Sequence, residues 1–138
     1  MRLRLPPVIV LLVASCAFDS GLTKAEALWA AEGASDYSID VTLLCACPVG
    51  TYRVTVREGQ QTIVQAVKSG ELRPAGGLAL TVDDLFDRVQ EGQGAHRLEV
   101  EYDPRHGFPT LIDIDPDPEV VDDEVRYTTV RYTPQPGE

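Results

Sequence analysis

The feature that most constrains this chain is a two-residue alternation of apolar and polar side chains. In the clearest segment, apolar residues fall at every second position from Tyr37 to Cys47, and polar residues such as Asp40 lie between them. Because successive side chains of a strand point to opposite faces of a sheet, this pattern predicts a strand with one buried and one solvated face. Such strands are typical of an antiparallel sheet that is covered on one side.

The same alternation recurs downstream, and turn residues such as Glu58-Gly59 separate the segments. A break that contains Pro and Gly at residues 73–77 divides the pattern into two groups of three strands. The six predicted strands cover residues 37–47, 52–57, 62–67, 97–102, 110–114 and 125–132.

Two segments have a helical period instead. Thr23 begins a capping-box pattern that predicts a first helix over residues 24–32, with Trp29 as the side chain that docks the helix on the sheet. Thr81 is followed by two Asp residues, which predicts the start of a second helix because a Thr oxygen and acidic side chains both stabilise helix N-termini. The apolar residues of this helix recur at i, i+3, i+4 and i+7, and Gly92 ends it.

Together these elements predict one α+β domain over residues 23–133, in the order α-βββ-α-βββ. The sheet is expected to be antiparallel, with both helices packed on one face. Residues 134–138 contain two Pro and are expected to be frayed. A chain of 138 residues is long enough for one such domain and its core.

The first segment has the features of an export signal. Residues 1–15 carry two Arg near the start and an apolar run that is far shorter than the roughly 20 residues of a membrane-spanning helix. The run ends in Leu12-Val13-Ala14-Ser15-Cys16, which resembles a bacterial lipobox, so Cys16 is predicted to be lipidated and to become the mature N-terminus. Ala17 favours an outer-membrane or cell-surface destination, and residues 16–22 are expected to form a tether.

The charge of the chain argues against two classes of partner. With 22 acidic and 12 basic residues, its formal net charge is −10, and no cluster of Lys or Arg is present in the sequence. Nucleic-acid binding requires a basic surface, so nucleic acid is not expected as a partner. Anionic lipid headgroups would also repel the chain, so the lipid on Cys16 must provide the membrane attachment.

Several short motifs occur in a fixed order along the chain: Trp29, Tyr37, Cys45-Ala46-Cys47-Pro48, residues 81–86, Tyr102-Asp103, Gly107-Phe108-Pro109, residues 113–115 and residues 122–124. This order resembles a family of secreted bacterial domains and lipoproteins that is catalogued as domain of unknown function 6174. The resemblance covers nearly all of the chain after the signal, and it implies no activity.

Cys45 and Cys47 form the motif most suggestive of chemistry. If Cys16 is acylated, these are the two remaining thiols, and an exported protein meets an oxidising compartment. A local disulfide is the leading interpretation, although two residues in a strand lie roughly 6.6 Å apart, at the upper end of disulfide reach. A thiol-redox role, a metal site and an intermolecular bond are the alternatives.

Acidic residues are dense between residues 113 and 124. A solvated acidic edge, a calcium site and a surface for a basic partner all fit this composition, and calcium prefers such carboxylate oxygens. Two Pro residues and the lack of the turn Gly exclude an EF-hand. Arg126 and Arg131 are expected to offset Asp113 and Asp115 across the hairpin. The candidate calcium ligands are Asp115, Asp122, Asp123 and Glu124.

No catalytic signature occurs in the sequence. His106 is expected to be an exposed loop residue, and neither His96 nor His106 is expected to act as a ligand or in proton transfer. We therefore expect a lipid-anchored extracytoplasmic module that is not an enzyme and that binds a partner, for instance an envelope protein. The alternatives are a thiol-redox accessory protein that uses Cys45 and Cys47, and a calcium-dependent binding domain that uses the acidic loop.

Overall fold

The computed structural model describes residues 20–47, 49–74, 78 and 80–136. The predicted signal peptide and Cys16 lie outside the described residues. Within these residues two helices and seven strands are formed, and a 3-10 turn, Gly92–Gly94, follows the second helix. The elements are α1 (Ser20–Glu32), β1 (Tyr37–Leu44), β2 (Gly50–Arg57), β3 (Gln60–Ala66), β4 (Leu72–Arg73), α2 (Val82–Glu91), β5 (Arg97–Tyr102), β6 (Pro109–Asp115) and β7 (Val125–Pro134).

The seven strands form one antiparallel sheet in the order β4-β3-β2-β1-β7-β6-β5. The first four strands follow one another as a meander, and the last three do the same from the opposite edge. The two halves join where β7, the last strand, pairs along β1, the first. Segments that are far apart in the chain therefore meet at the centre of the sheet.

One face of the sheet, called the inner face here, belongs to the hydrophobic core. Ile39, Val41 and Val54 on this face are at most 1% exposed, and they share one cluster with side chains of both helices. The opposite side, called the outer face, carries Asp40 and its cross-strand neighbour Arg53. The helical members of the cluster are Leu22 and Ala25 of α1 and Val82, Leu85, Phe86 and Val89 of α2.

The antiparallel sheet and the α+β class agree with the structure, but the predicted order is incomplete. A seventh strand pairs Leu72 and Arg73 with β3, so the order is α-ββββ-α-βββ. Two residues are too few to show an alternation, which explains why the sequence pattern missed this strand. β1 ends at Leu44 rather than at residue 47, because the chain bends where Cys45 and Cys47 approach each other.

The other strand predictions are confirmed with small shifts. β5 has the predicted bounds, and β2, β3 and β6 begin one or two residues earlier than predicted. β7 runs to Pro134, and the backbone N–H of Gln135 donates to the carbonyl of Asp36 at 2.8 Å. The segment that was expected to be frayed therefore begins inside a paired strand, and residues 137–138 lie outside the described residues.

The first helix begins earlier than the sequence pattern predicted. It starts at Ser20, inside the segment expected to be a tether, so Thr23 lies within the helix and does not begin it. Leu22 and Ala25 are each 5% exposed, and the burial of Leu22 favours the longer helix because tertiary packing supplies most helix stability. The β5–β6 loop contacts α1 at Gly107, where φ is +86° and a Cβ would collide with the carbonyl of Ala25.

The start and the end of α2 match the prediction. Thr81 Oγ1 accepts from the backbone N–H of Asp84 at 3.1 Å, and the Asp84 carboxylate accepts from the N–H of Thr81 at 2.9 Å. The N–H of Val82 donates to the Tyr37 hydroxyl at 2.9 Å, which connects the helix to β1. Burial raises the pKa of Tyr37 well above its ordinary value. Gly92 ends the helix.

A bulge interrupts the pairing of β1 with β7. Ser38 is opposite Thr133, whereas Asp40 is opposite Val130, so β7 contains one extra residue between them. Arg131 lies in this extra segment with φ +55°. Bulges of this kind bend a strand and change the direction of a side chain.

Candidate functional site

Two acidic side chains on the outer face are almost completely buried. The first is Asp40 of β1, which is 2% exposed. Arg53 of β2 donates two hydrogen bonds to it, from Nε to Oδ1 at 2.7 Å and from Nη2 to Oδ2 at 2.9 Å. Arg131 of β7 approaches from the other side, with Nη1 3.6 Å from Oδ2. Asp40 is therefore held between two arginines from its two neighbouring strands.

The second buried carboxylate, Asp113 of β6, is arranged in the same way and is 3% exposed. Arg126, its cross-strand partner in β7, donates to Oδ2 from Nε at 3.0 Å and from Nη2. Arg97 of β5 donates from Nη2 to Oδ1 at 3.3 Å. Each buried carboxylate on the outer face thus contacts one arginine from each adjacent strand.

These contacts explain why the two acids can be buried and why the four arginine side chains are held in place. An ionised carboxylate is costly to bury unless cations and hydrogen-bond donors surround it. The hydrogen bond to the neighbouring Asp raises the pKa of both Arg53 and Arg126. The four arginines remain 45–71% exposed. Because a guanidinium has five N–H donors, each one keeps donors that face solvent.

The sequence pattern predicted part of this arrangement. The pairing of Arg126 with Asp113 is confirmed. The predicted role of Arg131 is wrong, because the bulge in β7 places it beside Asp40. The pairing of Asp40 with Arg53 was missed, although opposite charges at matching polar positions of two meander strands were the signal that would have revealed it.

A cleft of about 530 Å³ lies where the outer face meets two loops. The loops are the bend at Cys45 and the acidic connection between β6 and β7. Both guanidiniums that bind Asp113 line this cleft. The lining residues are Leu44, Cys45 and Ala46 on the bend, Arg97, Asp113 and Arg126 on the strands, and Asp122 and Glu124 on the acidic loop.

Cys45 and Cys47 are at disulfide distance, with their Cα atoms 5.0 Å apart. This is shorter than the roughly 6.6 Å expected for a continuous strand. The bend after Leu44 accounts for the difference. Cys45 is half-buried and Cys47 is exposed, so the pair lies at the surface beside the cleft.

Three of the four predicted calcium ligands come together. One carboxylate oxygen from each of Asp115, Asp123 and Glu124 lies within 4.8 Å of the others. Oδ1 of Asp115 and Oδ1 of Asp123 are buried and have no hydrogen-bond partner among the described residues. Asp122 is outside this group and has φ +69°.

Trp29 and His106 pack against other side chains of the domain. Trp29 has edge contacts to Tyr37, Phe108 and Tyr132, which agrees with the docking role predicted for it. His106 is half-buried rather than exposed, because its ring lies 4.9 Å from that of Tyr132. Its Nδ1 is 3.1 Å from Oδ1 of Asp103.

Burial by itself would raise the pKa of Asp103. Hydrogen bonds from the backbone N–H groups of His106 and Arg105, together with the His106 ring, outweigh that effect. The pKa of Asp103 is therefore lowered, which identifies this carboxylate as the ionised acceptor of the loop. His96 is exposed.

The comparison with known protein families gave a match that covers most of the chain. The model of a family of unknown function, DUF6174, matches residues 21–134. The chain belongs to this family. No curated protein and no solved structure gave a significant match. Within the described ranges, no helix is long and apolar enough to cross a membrane.

Proposed function

We propose that this family member is a lipid-anchored, extracytoplasmic binding module of a bacterial envelope, without catalytic activity, and that its outer face contacts the partner. The observation that carries the proposal is the outer face itself. It presents four arginines that contact buried carboxylates and are still 45–71% exposed. Arginine that is already ordered loses little entropy on binding, and it is enriched at protein interfaces.

Exposed apolar side chains on the same face support this assignment. Val130 of β7 is opposite Asp40 of β1, and Ile63 of β3 is opposite Thr55 of β2. Both are about half exposed, at 49% and 48%. Apolar side chains placed among arginines are common in interfaces that bind other proteins.

The anchor is proposed from the sequence pattern that ends at Cys16. The intact mass of the membrane-extracted protein, alkylated without reduction, tests it. We expect a mass that includes acyl chains and two blocked thiols. A Cys16→Ala variant should move from the membrane fraction to the soluble fraction, and an unchanged fractionation would contradict the anchor.

Site-specific photo-crosslinking in intact cells tests the binding surface. A photoreactive residue at Val130 on the outer face should give a crosslinked product. The matched control is Asp87, which is exposed on α2. Equal crosslinking from the two positions, or crosslinking from Asp87 alone, would contradict a partner on the outer face.

Calcium binding is a second candidate, because two unpartnered carboxylate oxygens lie in the group formed by Asp115, Asp123 and Glu124. Three carboxylates supply part of the six to eight oxygens that calcium takes, and waters or backbone carbonyls would supply the rest. A bound cation would also offset the repulsion among these acids.

The melting temperature with and without calcium tests this candidate. Calcium should raise the melting temperature, and Asp123→Asn should abolish the rise. Glu119→Gln is the control, since Glu119 is exposed on the same loop and is not a member of the group. A melting temperature that does not respond to excess calcium excludes the site.

The thiol-redox alternative has less support. Asp122, Asp123 and Glu124 line one hollow together with Cys45 and Cys47. Negative charge beside a sulfur disfavours the reactive thiolate. If the pair is nevertheless redox-active, Cys47→Ser abolishes disulfide-exchange activity. If the bond is structural, the same substitution lowers stability alone.

A further inference from the structure

The cleft at the end of the outer face combines two kinds of charge that are kept apart. Arg97 and Arg126 are on the strand side. Asp122 and Glu124 are on the loop side, and among the described residues neither carboxylate has an ion-pair partner. Asp113, between the arginines, is already bound by both of them. The free donors of the cleft therefore come from the strands, and its free acceptors come from the loop.

The arginines keep donors for a ligand. The described hydrogen bonds of Arg97 use Nη2, and those of Arg126 use Nε and Nη2. Each guanidinium therefore has further N–H groups available out of its five. Both groups bind the same carboxylate, Asp113, so the two guanidiniums lie side by side in the lining of the cleft.

From this separation of charge we infer that the cleft binds an amino acid or a short peptide through its free carboxylate and an ammonium group. The carboxylate contacts Arg97 and Arg126, and the ammonium contacts Asp122 and Glu124. A purely anionic ligand is repelled by the loop, and a purely cationic one is repelled by the arginines. The volume of about 530 Å³ is in the range of small-molecule sites.

The same charges predict a preference among peptides. Two guanidiniums and three carboxylates give the cleft one excess negative charge. Leu44, which is 44% exposed, and Ala46 form an apolar wall beside these groups. A C-terminal lysine matches both features, because its aliphatic stem packs on the wall and its ammonium faces the acids. A C-terminal glutamate has the wrong charge.

Calorimetric titration of the detergent-solubilised full-length chain tests this inference, with EDTA present so that calcium does not occupy the acidic loop. The probes are the dipeptide Ala-Lys, its C-terminal amide and Ala-Glu. We expect Ala-Lys to bind, and both the amide and Ala-Glu to bind about tenfold more weakly, the effect of one charge-assisted hydrogen bond. Equal affinity for the three peptides, or no binding of Ala-Lys at millimolar concentration, overturns the inference.

Substitutions then identify the cleft. Glu124→Gln and Asp122→Asn should each weaken Ala-Lys binding about tenfold. Asn suits position 122 because it tolerates a positive φ. Glu119→Gln, on the same loop but outside the cleft, should leave binding unchanged. Arg97→Lys keeps a cation beside Asp113 but loses the planar fork, so it should weaken Ala-Lys more than the amide.

This inference rests on the proposed binding function, and the two can fail separately. If crosslinking from Val130 succeeds while Ala-Lys does not bind, the assignment of the ligand is wrong and the binding surface stands. If Ala-Lys binds and Val130 gives no crosslink, the cleft stands and the broader partner surface is wrong.

Discussion

Neighbouring residues of β1 are equally buried in opposite surroundings. Ile39 and Val41 on the inner face are 1% and 0% exposed among aliphatic and aromatic side chains. Asp40, between them, is 2% exposed on the outer face, where two arginines contact it. The inner face is buried by apolar packing, whereas the outer face buries its acids beneath the arginine side chains that neutralise them.

The two faces therefore serve different properties of the protein, the inner face mainly its stability and the outer face mainly its binding. Inner-face contacts are numerous and non-directional, so they contribute most of the folding free energy. Outer-face contacts are few and directional, and they fix guanidinium groups that still reach solvent. Changes on the inner face should therefore affect stability first, and changes on the outer face should affect binding at a smaller cost in stability.

The largest expected effect is on the inner face. Leu85→Ala removes a side chain of α2 that is 0% exposed, and it should lower the free energy of unfolding by about 2–5 kcal/mol. Chemical denaturation measures the change. Gln90→Ala, at an exposed position of the same helix, is the control and should have little effect. A loss in Leu85→Ala no larger than in the control would mean that α2 is not part of the core.

A smaller loss is expected on the outer face. Asp113→Asn weakens the hydrogen bonds to Arg97 and Arg126 and should cost about 1.5–3 kcal/mol, the usual contribution of hydrogen bonds to charged groups. Glu99→Gln, at the exposed cross-strand neighbour in β5, is the matched control. Equal free energies of unfolding for the two variants would show that Asp113 is not needed to hold the side chains of Arg97 and Arg126 in place.

A hydrogen bond to the Tyr37 hydroxyl links the inner face of the sheet to α2, and removal of that oxygen should weaken the link. Tyr37→Phe leaves the N–H of Val82 without its partner and should cost about 1–3 kcal/mol. Hydrogen exchange at the Val82 amide measures the local effect, and its protection should fall. Unchanged protection would contradict the bond.

The smallest effect concerns the loop that packs on α1. Because the pKa of Asp103 is lowered in the folded state, its ionised form adds stability above the ordinary value of about 3.9. That contribution should be lost as the pH falls below about 3.9 and through the lowered pKa. Denaturation of the wild type and of Asp103→Asn between neutral and acid pH measures it. The difference between the free energies of unfolding of the two proteins should disappear in acid. A difference that does not change with pH would contradict the lowered pKa.

The sequence predicted those elements whose local signals agree with their packing. α2 has a cap at Thr81, an apolar stripe and Gly92 at its end, and the structure matches each of them. The alternation of β5 predicted its bounds. In these elements the periodicity that the sequence shows is the one that burial requires.

Other features depended on distant parts of the chain. The position of Leu22 in the core extends α1 beyond the capping pattern at Thr23. The partners of Asp40 come from strands on either side of β1, and one of them, Arg131, reaches it through a bulge. A pattern within one segment contains no information on such contacts. The cleft has the same origin, because strands and loops from both halves of the chain line it.

The bulge in β7 also acts as a change of phase along that strand. Before it, the odd-numbered Thr129 faces inward and donates to the carbonyl of Pro109. After it, the even-numbered Tyr132 faces inward, where its ring contacts Trp29 and its hydroxyl accepts from the N–H of Ala34. Without the bulge, a strict alternation from Thr129 onward would place Tyr132 on the outer face, away from α1. The bulge thus allows the last strand to contact the first helix through Tyr132.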